Sequence, residues 1–117
     1  MFFDIIELTK DLSIKNYQDY LKSVYQFHKG DQGLFIKLVE EVGEVAQVLN
    51  IQNGRKSSVI NPTEALAEEL SDIIHYSIAI AAINNIDLES AILEKDEKAS
   101  LKYGRTNNLF IHLEKTK

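Results

Sequence analysis

Apolar residues recur along this chain at helical spacing in four segments, each bounded by residues suited to starting or stopping a helix. Ser13 caps a first predicted helix from about Ile14 to Phe27, with Tyr17, Tyr20, Leu21, Val24 and Phe27 on one stripe. The run His28-Lys29-Gly30-Asp31-Gln32-Gly33 reads as a turn. A second helix then runs from about Leu34 to Gln52 and stops at Asn53-Gly54. After the polar loop Arg55-Lys56-Ser57-Ser58, Asn61-Pro62 opens a third helix, a capping side chain followed by proline at the first helical position. Glu64, three residues beyond Asn61, adds a capping box. That helix ends at Asn84-Asn85. Asp87 caps a fourth, from about Leu88 to Tyr103, closed by Gly104. The end segments Phe2 to Leu8 and Leu109 to Leu113 are compatible with short helix, strand or docked chain. With no internal repeat and no low-complexity tract, the expectation is all-α: a four-helix bundle in one domain, residues 1–117, whose motif-bearing core spans about 14–105.

The third helix is unusual in having no charged residue from Ile73 to Ile86. The stretch is shorter than the roughly 20 residues needed to span a bilayer, and it contains His75, Ser77, Asn84 and Asn85. A buried core helix or an oligomer interface accounts for it better than a membrane span. Between Ile73 and Ile83 it is apolar on nearly every side, and such a helix must be covered on every side. A bundle of this size has too little else to cover it, which predicts a homo-oligomer, a dimer or a dimer of dimers.

Composition narrows the function. Eighteen acids against thirteen bases give a net charge of −5, opposite to the basic footprint of a protein that binds nucleic acid polymers. The absence of cysteine excludes disulfides, thiol nucleophiles and zinc knuckles from these residues. Met1-Phe2-Phe3-Asp4 lacks the basic start and small-residue cleavage site of a signal peptide, so a cytoplasmic protein is expected.

Most of the acids suit a solvated surface or a cap; Glu41 and Glu69 do not. Counting from Glu41, the residues at −7, −3, +4 and +7 are Leu34, Leu38, Val45 and Val48, so a carboxylate interrupts the stripe that should face the core. Around Glu69, the residues at −3, +4, +7 and +11 are Leu66, Ile73, Tyr76 and Ile80, and the same anomaly recurs. A buried carboxylate is normally paired or bound to metal. Each of the two has an acidic companion three residues on, Glu44 and Asp72, on the same helical face. If the second and third helices pack antiparallel, four carboxylates converge. Such a group requires protonation or a cation, and an all-oxygen ligand set suits Mg²⁺ above all.

These residues carry a family resemblance. Lys37-Leu38-Val39-Glu40-Glu41-Val42-Gly43-Glu44 resembles the EExxE segment of MazG-like nucleoside triphosphate pyrophosphohydrolases, and Glu68-Glu69-Leu70-Ser71-Asp72 resembles their ExxD segment. Asn85 to Ala91, followed by Glu94-Lys95, is similar to the opening of the family's next helix. The resemblance implies an all-α oligomeric enzyme that uses Mg²⁺, with Mn²⁺ as a substitute, to hydrolyse a nucleoside triphosphate to monophosphate and pyrophosphate in nucleotide-pool house-cleaning. It implies Glu41, Glu44, Glu69 and Asp72 as metal ligands, with Glu41 or Glu44 accepting a proton from water. Glu40, about 100° round the helix from Glu41, is assigned to orienting water or supporting a ligand. Lys95, Lys98 and Lys102 form one basic stripe suited to phosphate oxygens, and Lys37 is a further candidate for substrate contact. Asp96 and Ala99 stand where such proteins often carry asparagine.

Tyr17, Tyr20 and Phe27 are candidates for a base-pocket wall or for plain core, and His28 for a base contact or an exposed turn. His75 reads as a packed helix residue. Two alternatives stay open: a phosphoribosyl-ATP pyrophosphohydrolase, whose Tyr-His order is reversed here as His75-Tyr76, and a non-enzymatic helical dimer with a structural cation site.

Overall fold

The computed structural model describes residues 12–28, 32–52 and 61–116. Among them the chain forms helices α1 (Ile14–Val24), α2 (Gln32–Gln52), α3 (Pro62–Ile83), α4 (Leu88–Lys102) and α5 (Leu109–Lys115), and no strand. The N-terminal segment Phe2 to Leu8 and the loop through Arg55-Lys56-Ser57-Ser58 lie outside the described residues, as does most of the turn after His28.

The helix starts are side-chain caps. Ser13 accepts a hydrogen bond from the Asn16 N–H, Asn61 from Glu64 and Asp87 from Ser90, each satisfying a donor that the first turn leaves unpaired. Asn108 does the same for α5 by accepting from Ile111, which settles Leu109 to Leu113 as helix. The stops are equally local. Asn85 (φ 56°) and Gly104 (φ 67°) adopt the left-handed conformation after α3 and α4. Behind Asn85, the Ile86 N–H reaches back to Ala81 O (3.0 Å); behind Gly104, the Arg105 N–H reaches Ser100 O (2.8 Å). Both ends are Schellman closures, one made by asparagine and the other by glycine.

The centre of the core joins three helices: Leu21 from α1, Leu34 from α2, and Ile78 and Ala79 from α3. α3 is the hub. It packs most extensively against α2 and next against α1, while α4 packs against α1 and α5. Alanines 79, 81 and 82 are buried along it, and their small side chains let neighbouring helices approach closely. Gln18 ties α1 to the α3–α4 turn, donating to Ile86 O and accepting from the Leu88 N–H. Leu21 is 0% exposed, so truncating it leaves a cavity that no side chain can fill. The Leu21→Ala variant should lose about 2–5 kcal/mol of stability, measurable by urea denaturation.

Two expectations need correction. α1 ends at Val24 instead of Phe27, and Phe27 is 87% exposed. The buried flank of α1 runs through Ile14, Tyr17, Leu21 and then Tyr25, so Tyr20 and Val24 fall at its edge and are exposed. The uncovered apolar surface also lies largely elsewhere than expected. From Tyr76 to Ile83 α3 is covered within the chain, and within the expected stretch Ile74 is the exposed apolar residue, whereas Phe35, Ile36, Val39, Val42 and Leu49 of α2 are exposed, as is Leu70 of α3.

Candidate metal centre

Packing α2 against α3 brings Glu41, Glu69 and Asp72 together, with one carboxylate oxygen from each within 4.8 Å of the others. The reason is the helical phase noted above: Glu41 sits on the α2 stripe that meets α3, and Glu69 on the α3 stripe that meets α2. Both are half-buried, and Asp72 is exposed. Glu41 Oε2 and Glu69 Oε2 are each buried without a hydrogen-bond partner among the described residues. Two ionised carboxylates can only accept, so neither can satisfy the other.

A proton relieves part of the conflict. Glu69 is pushed up to about 8, first because its protonated carboxyl hydrogen-bonds Glu41 and then Glu44, with burial and the two neighbouring negative charges adding to the effect. Glu44 is thus within reach of Glu69 from its exposed position on α2, although it does not join the three converging oxygens. A divalent cation relieves the conflict completely. The ligand set is all oxygen, two of the oxygens lack any other partner, and the local charge is negative, so the residues present fit a hard cation.

The remaining site candidates are arranged differently. Glu40 is exposed and lies 3.7 Å from the Lys37 amine one turn earlier, so these two engage each other. Lys95, Lys98 and Lys102 are exposed on α4, whose packing partners are α1 and α5, and the Lys102 amine stands 5.4 Å from the centre of the Tyr103 ring. Asp96 has structural work: it accepts the Leu109 N–H at 2.6 Å and lies 3.9 Å from Arg105, holding the start of α5. His28 is exposed with its ring edge-on to Tyr25.

His75 is packed, as expected, but its partners escaped the sequence reading. His75 is half-buried, with the Tyr17 hydroxyl 3.3 Å from Nδ1 and the Tyr25 hydroxyl 2.7 Å from Nε2. Its ring also meets Tyr76 edge-on at 5.0 Å. The available signal was a histidine three residues after Asp72, facing a helix with tyrosines eight residues apart on its buried flank. No helix among the described residues is long and apolar enough to cross a membrane.

Comparison with known proteins gives the family. Residues 30–104 match the model of the MazG nucleotide pyrophosphohydrolase domain. The dCTP pyrophosphatase 1 of Mus musculus is 34% identical over 82 residues, covering 67% of this chain and 48% of that protein. Its Bos taurus counterpart is 38% identical over the same coverage, and that of Homo sapiens 38% over 74 residues, 60% of this chain and 43% of the relative. The chain spans about half the length of the curated relatives it matches.

Proposed function

Because the chain belongs to the MazG nucleotide pyrophosphohydrolase family, we propose that it hydrolyses a nucleoside triphosphate to the monophosphate and pyrophosphate, as part of nucleotide-pool clean-up. Water adds to the α-phosphorus, the bond to the β-phosphate bridge breaks, and pyrophosphate departs. The observation that carries the reading is the convergence of Glu41, Glu69 and Asp72, two of them with a buried oxygen that, when both are ionised, has no hydrogen-bond partner among the described residues. The substrate is a deoxynucleoside or modified nucleoside triphosphate, and the name of the relatives makes dCTP the first to try.

In this reading Glu41, Glu69 and Asp72 hold Mg²⁺, with Mn²⁺ as a substitute, and Glu44 completes the ligand set. The cation supplies charge neutralisation on the phosphates and acidifies water. Glu41 and Glu44 are the candidates to accept the proton of the attacking water. Glu44 is the more available of the two, being exposed beside Glu69. Glu40, paired with Lys37, keeps that lysine near the start of the acidic segment, where its amine can meet substrate. Lys95, Lys98 and Lys102 offer a basic stripe to phosphate oxygens.

The reading includes a homo-oligomer, a single domain over residues 1–117 and action in the cytoplasm, away from membranes and nucleic acid polymers. The exposed apolar residues of α2 support the oligomer, since faces of this kind are normally covered by a partner. The test is pyrophosphate release from a panel of ribo- and deoxynucleoside triphosphates, with Mg²⁺ and with chelator. Chelator-sensitive release from one or a few of them is expected. No release from any, with Mn²⁺ also tried, contradicts the proposal.

A further inference from the structure

On the side of α3 away from Glu69 lies an apolar groove that the metal centre does not use. Ser71 and Ile74, about 200° and 140° round the helix from Glu69, line it together with Ile92 of α4 and Leu109 and Leu113 of α5. Its volume is about 790 Å³, that of a pocket able to hold a drug-sized ligand. Leu12, Ile74 and Leu113 in the lining are 72%, 50% and 46% exposed, and an apolar surface of this kind calls for an occupant.

The chain itself enters α1 along this groove. Ser13 has extended backbone (φ −138°, ψ 163°), so the chain turns away from the α1 axis at that point. Leu12 and Tyr17 stand one residue before the cap and four after it. These are the two positions of a hydrophobic staple, which sets the angle at which the chain meets a helix, and both residues line the groove. Residues 1–11 lie outside the described residues, but their sequence has the pattern the groove requires. Phe2, Ile5 and Ile6 recur at helical spacing, and Asp4, Glu7 and Asp11 fall together on the opposite edge.

Tethering favours one occupant over the others. A segment joined to the lip of the groove is present there at an effective concentration on the order of millimolar, which a second copy or a free partner does not match. We propose that the segment Phe2 to Leu8 folds back into the groove between α1, α3, α4 and α5 as an intramolecular strap, with Phe2, Ile5 and Ile6 inside and Asp4 and Glu7 in water. The strap covers Ile74, Leu109 and Leu113 and ties α5 to the start of α1. The apolar surface left for a second copy is then the α2 face with Leu70.

Two measurements on the full chain test this. Isotope-filtered NMR on an equal mixture of labelled and unlabelled protein separates contacts within a chain from contacts between chains. The strap requires nuclear Overhauser contacts from Phe2, Ile5 or Ile6 to the methyls of Ile74, Ile92 or Leu113 of the same chain. The same contacts between chains would assign the groove to a second copy and overturn the strap, and so would the absence of any such contact. The second readout is the rate of chymotrypsin cleavage after Phe3 in wild type and in Leu113→Asp. A charge in the groove should expel the segment and speed that cleavage about tenfold, with an unchanged circular dichroism spectrum. Equal rates in two equally folded proteins contradict docking, and where Leu113→Asp does not fold, the NMR contacts in wild type decide by themselves.

Discussion

Replacing Glu69 with glutamine should lower kcat by about 10³-fold, because it removes a cation ligand at the centre of the cluster and with it several kcal/mol of transition-state stabilisation. Stability should move the other way. In the metal-free chain at pH 9, Glu69 is an ionised carboxylate pressed against Glu41 and Glu44, with one oxygen buried and unsatisfied. Glutamine has nearly the same shape, carries no charge and can donate to either neighbour. The variant should therefore melt at a higher temperature than wild type under those conditions while being nearly inactive. A scaffold in which Glu69 served only packing would show the reverse, with stability lost. Melting curves without metal and turnover with Mg²⁺ separate the two.

The second large effect is the dependence of stability on pH and metal. Glu69 titrates near 8 in the fold against an ordinary value of 4.5, so between those values the folded chain keeps a proton that the unfolded chain has released. Stability then falls as pH rises through this window, and the favourable contribution is fully present only below about 4.5 and gone above about 8. In metal-free protein the melting temperature should decline from pH 6 to pH 8 and level off beyond it. Saturating Mg²⁺ or Mn²⁺ should cancel the decline, because cation binding strengthens as the proton leaves. At a metal concentration 100 times Kd the stabilisation should reach about 2.7 kcal/mol. A melting temperature that ignores both pH and metal would show that the carboxylates do not titrate as a cluster.

The parts legible in the sequence are those governed by neighbours along the chain. Ser13, Asn61 and Asp87 cap helices because a short polar side chain needs only an N–H three residues away. The ends at Asn84-Asn85 and Gly104 are local for the same reason. Glu41 and Glu69 stood out because each breaks a periodic apolar stripe, and the structure brings both, with Asp72, to one point. Contacts that join distant segments were not legible. His75 meets tyrosines 58 and 50 residues earlier, and no periodicity marks that pairing. Asp96 departs from the asparagine expected there; it accepts the Leu109 N–H across the turn after α4, as an asparagine could, and its charge pairs with Arg105. Tyr20 and Phe27 were assigned to the α1 stripe from spacing alone. A small difference in the phase of the buried flank, and an earlier helix end, put both in solvent.

The most direct test of the central claim is calorimetric titration of the metal-free chain with Mn²⁺ near pH 7, in two buffers with different heats of ionisation. Comparing the heats counts the protons released on binding. With Glu69 protonated at that pH in the empty site, binding should release close to one proton in wild type. The Glu69→Gln variant should bind far more weakly and release none. Absence of binding by wild type, or equal binding by wild type and variant without proton release, would contradict a metal centre built on Glu41, Glu69 and Asp72.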